Sequence, residues 1–130
     1  MIVYLSRDQI LRIHAFQIER FGGLAGLRDN GGLEAAVARP QMTFGGEYLY
    51  PDVAAKVAAL MQSLVMNHPF IDGNKRVGAH AALLFVHANG MELQTSPDDL
   101  TTMTLDLARG ELNREELTIW LQQRLRERET

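Results

Sequence analysis

The chain has no cysteine among its 130 residues, which excludes disulfides, thiolate catalysis and thiolate-ligated zinc. It also has no excess of basic residues: its net charge of -3 argues against a general nucleic-acid binder, which would present a basic face. Long hydrophobic runs are missing too. The best one, AHAALLFVHA (79–88), is too short to cross a bilayer and carries two histidines.

The first residues, MIVYLSRDQ, have neither a basic region nor the apolar region that follows it in a signal peptide. We therefore expect a cytoplasmic protein with no membrane association and no direct nucleic-acid binding. Internal repeats and linkers rich in proline, glycine or serine are also missing. The length is near the commonest domain size and 46% of residues are hydrophobic, so we expect one compact domain over residues 1–130.

Capping residues and hydrophobic periodicity predict about six helices. The predicted helices begin after Ser6, at Leu33, after Asp52, at Asn74, after Ser96 and after Asn113. Glycines and prolines mark the ends of most of them, including Gly22, Pro40, Gly90 and Gly110. The predicted core face of the first helix consists of Ile10, Leu11, Ala15, Ile18 and Phe21. The fourth helix, 74–89, is apolar nearly all round, which predicts the centre of the bundle, and the charged tail is expected to fray.

Residues 40–51, PQMTFGGEYLYP, differ in character from the helical segments, and we call them the flap. Side chains that favour strands surround Gly45 and Gly46, which predicts a small β-hairpin. The sequence therefore predicts an all-α bundle with one short hairpin. Because no partner sheet is available, we expect an extended target segment to add a strand to it. The expected docking residues are Thr43, Phe44, Gly45, Gly46 and Glu47.

The densest group of chemically capable side chains is HPFIDGNKR, residues 68–76, which we call the motif loop. It ends where the fourth helix begins, and a helix N-terminus attracts anions through unpaired N–H groups and the helix dipole. Gly73 lets the backbone of Gly73 and Asn74 approach a ligand closely. Lys75 and Arg76 add two charges, and arginine can hold phosphate oxygens with a bidentate fork. This pattern predicts a phosphate-binding nest.

Two further side chains complete the groups that a phosphate-transferring site needs. Asp72 offers a carboxylate suited to Mg²⁺, which keeps most of its waters and bridges to phosphate. A neutral His68 could accept the proton of an attacking hydroxyl. Each residue alone has an ordinary structural explanation, but those explanations do not account for the combination. Three hypotheses stay open: an enzyme, a non-catalytic nucleotide- or phosphate-binding module, and an interaction protein whose loop is structural.

The motif loop closely resembles the pattern H-P-F-x-[D/E]-G-N-[G/K]-R of the Fic/Doc family. The chain is most similar to the Doc (death-on-curing) branch, the toxins of toxin–antitoxin modules, also through LEAAVARPQ and LARGEL. The resemblance implies a helical bundle with a β-flap over the active site. It also implies roles for individual residues: His68 as the base, Asp72 as the Mg²⁺ ligand, Gly73 and Asn74 as the nest, Arg76 as the phosphate grip and Phe70 as the loop anchor.

Family members transfer part of ATP to a protein hydroxyl: AMP in most Fic enzymes, the γ-phosphoryl in the Doc branch. The resemblance thus implies ATP and Mg²⁺ as cofactors and elongation factor Tu as the target, so that translation stops. Lys75 stands where the Fic pattern has glycine, and Ala79 where it has a second arginine. Both departures favour γ-phosphoryl transfer, with AMP transfer as the alternative.

The expected inhibitor is a separate antitoxin whose tail helix blocks the cleft. Many Fic enzymes instead carry an inhibitory helix with the pattern [S/T]-x-x-x-E-[G/N]. The nearest match here runs from Thr43 to Glu47, but Tyr48 follows it and two glycines interrupt it.

Overall fold

The structure is a computed structural model that describes residues 1–129, and these form six helices. The helices are α1 (Arg7–Phe21), α2 (Asn30–Ala38), α3 (Val53–Asn67), α4 (Asn74–Ala88), α5 (Pro97–Ala108) and α6 (Arg114–Arg124). The strands are β1 (Thr43–Phe44), β2 (Glu47–Tyr48), β3 (Met91–Leu93) and β4 (Leu125–Glu127). A short 3-10 turn, Arg39–Gln41, precedes β1. The predicted all-α fold with a short hairpin is confirmed. Within residues 1–129, none of the helices has both the length and the apolarity to cross a membrane.

Four of the predicted helix starts are confirmed by side-chain caps. The side chains of Ser6, Asp52, Ser96 and Asn113 each accept a hydrogen bond from the backbone N–H three residues later. The predicted start of α2 at Leu33 is wrong, since the helix already begins at Asn30. Asp29 caps it by accepting from the N–H of Gly32 at 2.9 Å, and this cap offsets the low helix propensity of the two glycines.

The centre of the bundle is α3, not α4. Eleven residues of α3 are buried, whereas only six of α4 are, and Leu83 of α4 is 40% exposed. The small alanines of α3 let α2, α4 and α6 pack around it. The prediction from all-round apolarity is therefore wrong, because apolar residues such as alanine and leucine also occupy exposed positions of a helix.

The core face of α1 also differs from the prediction. Its buried residues are Ile10, Ile13, His14 and Gln17. Ala15 and Phe21, which were expected in the core, are exposed. The buried face of α1 includes two polar residues because both have hydrogen-bond partners. His14 bonds to the backbone of Asp72, and Gln17 bonds to the ring of His80.

Residues 125–127 of the C-terminal tail are paired as strand β4, so the prediction that the tail frays is wrong for them. Strand β4 pairs antiparallel with β3, from Met91 opposite Glu127 to Leu93 opposite Leu125. Tail residues and the turn after α4 exchange further backbone bonds, including one from Arg128 to Gly90 at 2.9 Å. Strand pairing over this sequence distance leaves little local signal in the chain.

The flap contains the predicted hairpin, with Thr43 opposite Tyr48 and Phe44 opposite Glu47. Gly45 and Gly46 have φ of 61° and 84°, the two positive values that a type I′ turn requires. The hairpin side chains are exposed, and Phe44 is 81% accessible. This segment forms a hairpin and not a helix, so the short match to an inhibitory helix has no structural basis.

Candidate active site

The motif loop connects the end of α3 to the start of α4. His68 is the C-cap of α3, with left-handed backbone angles of φ 48° and ψ 55°, and its side chain is exposed. It is the one non-glycine residue with positive φ among the described residues. Histidine is one of the few L-residues that adopts this region with some frequency. The conformation ends the helix and turns the imidazole out of the core.

The loop between α1 and α2 fixes the motif loop through backbone hydrogen bonds. The N–H groups of Arg28 and Asp29 both donate to the carbonyl of Pro69, at 2.7 and 3.0 Å. The N–H of Ile71 donates to the carbonyl of Gly26 at 3.1 Å. The Arg28 guanidinium in addition donates to the carbonyl of His68 at 2.6 Å. The motif loop is thus a paired segment with a defined shape.

Phe70 and Asn74 hold the loop from inside. Phe70 is 1% exposed and stacks on the ring of His14, with centroids 3.8 Å apart and planes at 5°. The Asn74 side chain accepts from the Phe70 N–H at 3.0 Å and donates to the Phe70 carbonyl at 2.9 Å. Both functional groups of Asn74 are therefore used by the loop, so the contribution it can make to a nest is its backbone N–H.

Asp72 carries a carboxylate whose two oxygens are both held. One accepts from the N–H of Leu24 at 3.2 Å and the other from the N–H of Gly73 at 2.8 Å. These bonds, with a smaller contribution from the charges of Arg76 and Lys75, lower the pKa of Asp72 below its usual value. The group is therefore an anion at neutral pH. Gly23 has φ 114°, which favours glycine, and a Cβ there would lie 2.6 Å from Oδ2 of Asp72 and displace the carboxylate.

The N-terminus of α4 lies directly after this carboxylate. Gly73 is the N-cap, with φ 82°, and its helix receives no side-chain cap from the described residues. Lys75 is exposed and Arg76 is partly exposed. The Arg76 guanidinium lies 5.7 Å from the ring centroid of Phe21. Two cations and open N–H groups here form a site for an anion.

A cavity of about 180 Å³ lies beside these cations. It lies between α4 and α5, and its lining residues are Lys75, Arg76, Ala79, Thr101, Thr104 and Leu105. Ala79, which replaces the second arginine of the Fic pattern, leaves this wall short and uncharged. The cavity therefore has its positive charge only at the end near the N-terminus of α4.

The residues present fit a magnesium ion shared with phosphates better than a metal held by protein alone. Within residues 1–129, no group of three or more histidine, aspartate or glutamate side chains could hold a metal. Mg²⁺ is ordinarily bound by one or two carboxylates, with waters and phosphate oxygens completing the octahedron. The ionised Asp72, next to an anion site, matches that donor set.

Comparisons with known proteins identify the family. The family model described as the Fic/DOC family matches residues 4–86. The chain belongs to the Fic/DOC family. A Toxin Doc of Mycolicibacterium smegmatis (strain ATCC 700084 / mc(2)155) is 46% identical over 98 residues, covering 75% of this chain and 73% of that protein. The Protein kinase doc of Escherichia phage P1 is 33% identical over 110 residues, covering 85% of this chain and 86% of that protein. The resemblance to the Doc branch is confirmed.

Asp72, Gly73, Lys75 and Arg76 lie at the N-terminus of α4, whereas His68 lies at the other end of the motif loop, as the C-cap of α3. The flap is anchored on α3, away from this helix N-terminus. Its Tyr48 ring lies against Lys56 of α3, twelve residues before His68 in the chain, which is about 18 Å along the helix axis.

Sequence reasoning missed His14 and Arg28, which hold the motif loop without belonging to it. His14 could have been recognised from the sequence, since a histidine among the apolar positions of α1 needs a polar partner when it is buried. Arg28 offered no signal, because its contacts come from a loop that lies forty residues away in the chain.

Proposed function

We propose that this Fic/DOC protein is a toxin that transfers the γ-phosphoryl of ATP to a hydroxyl of a translation protein. One observation carries the proposal: an exposed histidine lies in the same loop as an ionised carboxylate and an uncapped, doubly cationic helix N-terminus. The names of two relatives, Toxin Doc and Protein kinase doc, support the same class of activity. Of candidate targets, we propose elongation factor Tu, which would place the protein's action in the cytoplasm.

In the proposed reaction, the target hydroxyl oxygen forms a bond to the γ-phosphorus while the bond from that phosphorus to the β,γ-bridging oxygen breaks. His68 accepts the hydroxyl proton, and ADP leaves. The N–H groups at the start of α4 and the Arg76 fork stabilise the charge on the transferring group. Asp72 would hold Mg²⁺, which neutralises phosphate charge when bound.

The orientation of the nucleotide decides which phosphorus faces His68. In the Fic pattern, a bare glycine and a second arginine seat the triphosphate tail deep in the nest and present the α-phosphate. Here Lys75 occupies the glycine position and Ala79 cannot grip the tail. These two residues support an orientation with the γ-phosphate toward His68, and they disfavour AMP transfer.

A non-catalytic phosphate-binding module is the second alternative. It would need the nest and the cations but not an exposed imidazole in the same loop. For regulation, we propose a separate antitoxin whose tail folds as an amphipathic helix over the cleft, since residues 43–48 form a hairpin instead of an inhibitory helix.

Labelled ATP separates these functions. The purified protein is incubated with elongation factor Tu and Mg²⁺, once with the label on the γ-phosphate and once on the α-phosphate. We expect label on the target from γ-labelled ATP alone. Transfer of α-label would establish AMP transfer, and no transfer from either nucleotide, to this target or in a translation extract, would favour the binding module.

The flap has one free hydrogen-bonding edge on each strand, and we propose that the target docks on one of them. The N–H of Leu49 donates to the carbonyl of Met42 at 3.0 Å, so the next pair, Thr43 and Tyr48, is the non-hydrogen-bonded one. The N–H and C=O of these two residues point outward. Such an edge can bind an extended segment through main-chain bonds.

The substitution Thr43→Pro tests docking on β1. It removes an outward donor without breaking a hairpin bond, and Met42 before it is already extended, with ψ 139°, as a following proline requires. We expect KM for the target to rise about tenfold, as for one lost main-chain bond of about 1.4 kcal/mol, with ATP affinity unchanged. Thr43→Val is the matched control. An unchanged KM would exclude β1 as the docking edge.

A further inference from the structure

Lys56 is a lysine buried in the middle of the central helix. It lies in the apolar run VAAKVAALM, and its side chain is only 1% exposed. Lysine is almost never buried to this degree unless a partner compensates its charge. Among the described residues, the ion pairs involve Arg28 and Arg114 only, so no carboxylate lies within 4 Å of the ammonium.

Two of the three partners of Lys56 belong to the flap. Its Nζ donates to the carbonyl of Pro40 at 3.1 Å, at the start of the flap. It lies 3.8 Å from the ring centroid of Tyr48 on β2 and 5.5 Å from that of Tyr4. Ring faces attract a desolvated ammonium strongly. The cation therefore contacts the flap both before β1 and on β2.

The electrostatics around the ammonium agree with these contacts. Burial lowers the pKa of Lys56, and the nearby Tyr48 and Asp52 act in the opposite direction. Asp52 is occupied as the cap of α3, where it accepts from the N–H of Ala55 at 2.8 Å. Besides the Pro40 carbonyl, the ring of Tyr48 is thus the group of the flap that compensates the charge, and Tyr48 itself is 53% exposed.

We propose that Lys56 is a positioning residue for target recognition: its ammonium fixes the flap by binding Pro40 and the face of Tyr48. The hairpin has just two residues in each strand, and an isolated hairpin of that size is not stable in water. Its shape therefore depends on contacts at its base. The expected effect on target recognition rests on the proposed docking role of the flap. The fixing of the flap by Lys56 can be measured independently of that role.

The first test measures opening of the flap by chymotrypsin cleavage after Phe44. Lys56→Met keeps the length and removes the charge, and Tyr48→Leu removes the ring at an exposed position. We expect each to speed cleavage about 2- to 30-fold, the factor that corresponds to one cation–π contact. Tyr48→Phe keeps the ring and should cleave at the parent rate. The double variant should cleave no faster than Lys56→Met alone, because that substitution already removes the contact with the Tyr48 ring.

A parent-like cleavage rate in Lys56→Met would overturn the inference. If that variant did not fold, Tyr48→Leu would decide in its place, since it leaves the core intact. A core lysine without a positioning role would instead change the melting temperature alone.

The second test separates the inference from the proposed function. With elongation factor Tu as substrate, we expect Lys56→Met to raise the target KM by the same factor as the cleavage rate, with the affinity for ATP unchanged. Faster cleavage with an unchanged target KM would leave the fixing of the flap standing but contradict the positioning role in recognition, and with it the docking role of the flap. Equal losses of ATP and target affinity would overturn the positioning role in favour of general destabilisation.

Discussion

Replacement of His68 by asparagine is expected to reduce phosphoryl transfer by about 10²- to 10⁴-fold, the usual contribution of a general base. Expression of the variant should no longer arrest bacterial growth. Asparagine is the informative replacement, because His68 has φ 48° and asparagine tolerates the left-handed region. Alanine at this position would add backbone strain to the loss of the base. ATP affinity should stay near that of the parent, since the imidazole accepts a proton and is not part of the nest.

The control for this substitution is His87→Asn. His87 is also exposed, but it lies in the last turn of α4, away from the motif loop. This variant should retain both toxicity and transfer. Growth arrest by His68→Asn at the parent level, with the protein expressed and folded, would contradict the role of His68 as base and favour a binding function.

The second large effect is expected for Arg76→Ala. We expect transfer to fall by about 10²- to 10³-fold, as when one preorganised donor to a developing negative charge is removed. The transfer rate of Arg76→Lys should lie between those of the parent and Arg76→Ala, because lysine keeps the charge but cannot form the bidentate fork. The loss should appear mainly in kcat, since the charge on the transferring group develops in the transition state.

Arg20→Ala is the matched control for Arg76. The guanidinium of Arg20 lies 5.9 Å from the ring of Phe21, and that of Arg76 lies 5.7 Å from the same ring. Both substitutions remove a cation from this ring, but Arg20 lies outside the motif loop. A comparable loss in both variants would show that the contact with Phe21, not phosphate binding, causes the effect.

The parts of the fold that could be predicted are those fixed by neighbouring residues. A cap such as Ser6 or Asn113 acts on an N–H three positions away, and the turn at Gly45 and Gly46 needs only its own two positive φ values. The start of α2 was misplaced because the acid that caps it, Asp29, comes before two glycines that disfavour a helix. The pairing of β4 with β3 could not be predicted, since its partners lie more than thirty residues apart.

The candidate site shows the same division. The spacing of the motif loop indicated that Asp72, Gly73, Lys75 and Arg76 lie at the start of α4. It did not indicate that both groups of the Asn74 side chain are hydrogen-bonded to the backbone of Phe70, because those bonds depend on the shape of the loop. Lys56 left a signal that can be recognised in other chains: a single lysine within an apolar helical run must find compensation, and here it finds the flap.

The intact mass of the target after reaction tests the central claim most directly. Elongation factor Tu is incubated with the protein, ATP and Mg²⁺, and with His68→Asn in parallel. A gain of one phosphate with the parent protein, lost with His68→Asn, is the predicted result. A gain of one AMP with the parent protein would contradict γ-phosphoryl transfer.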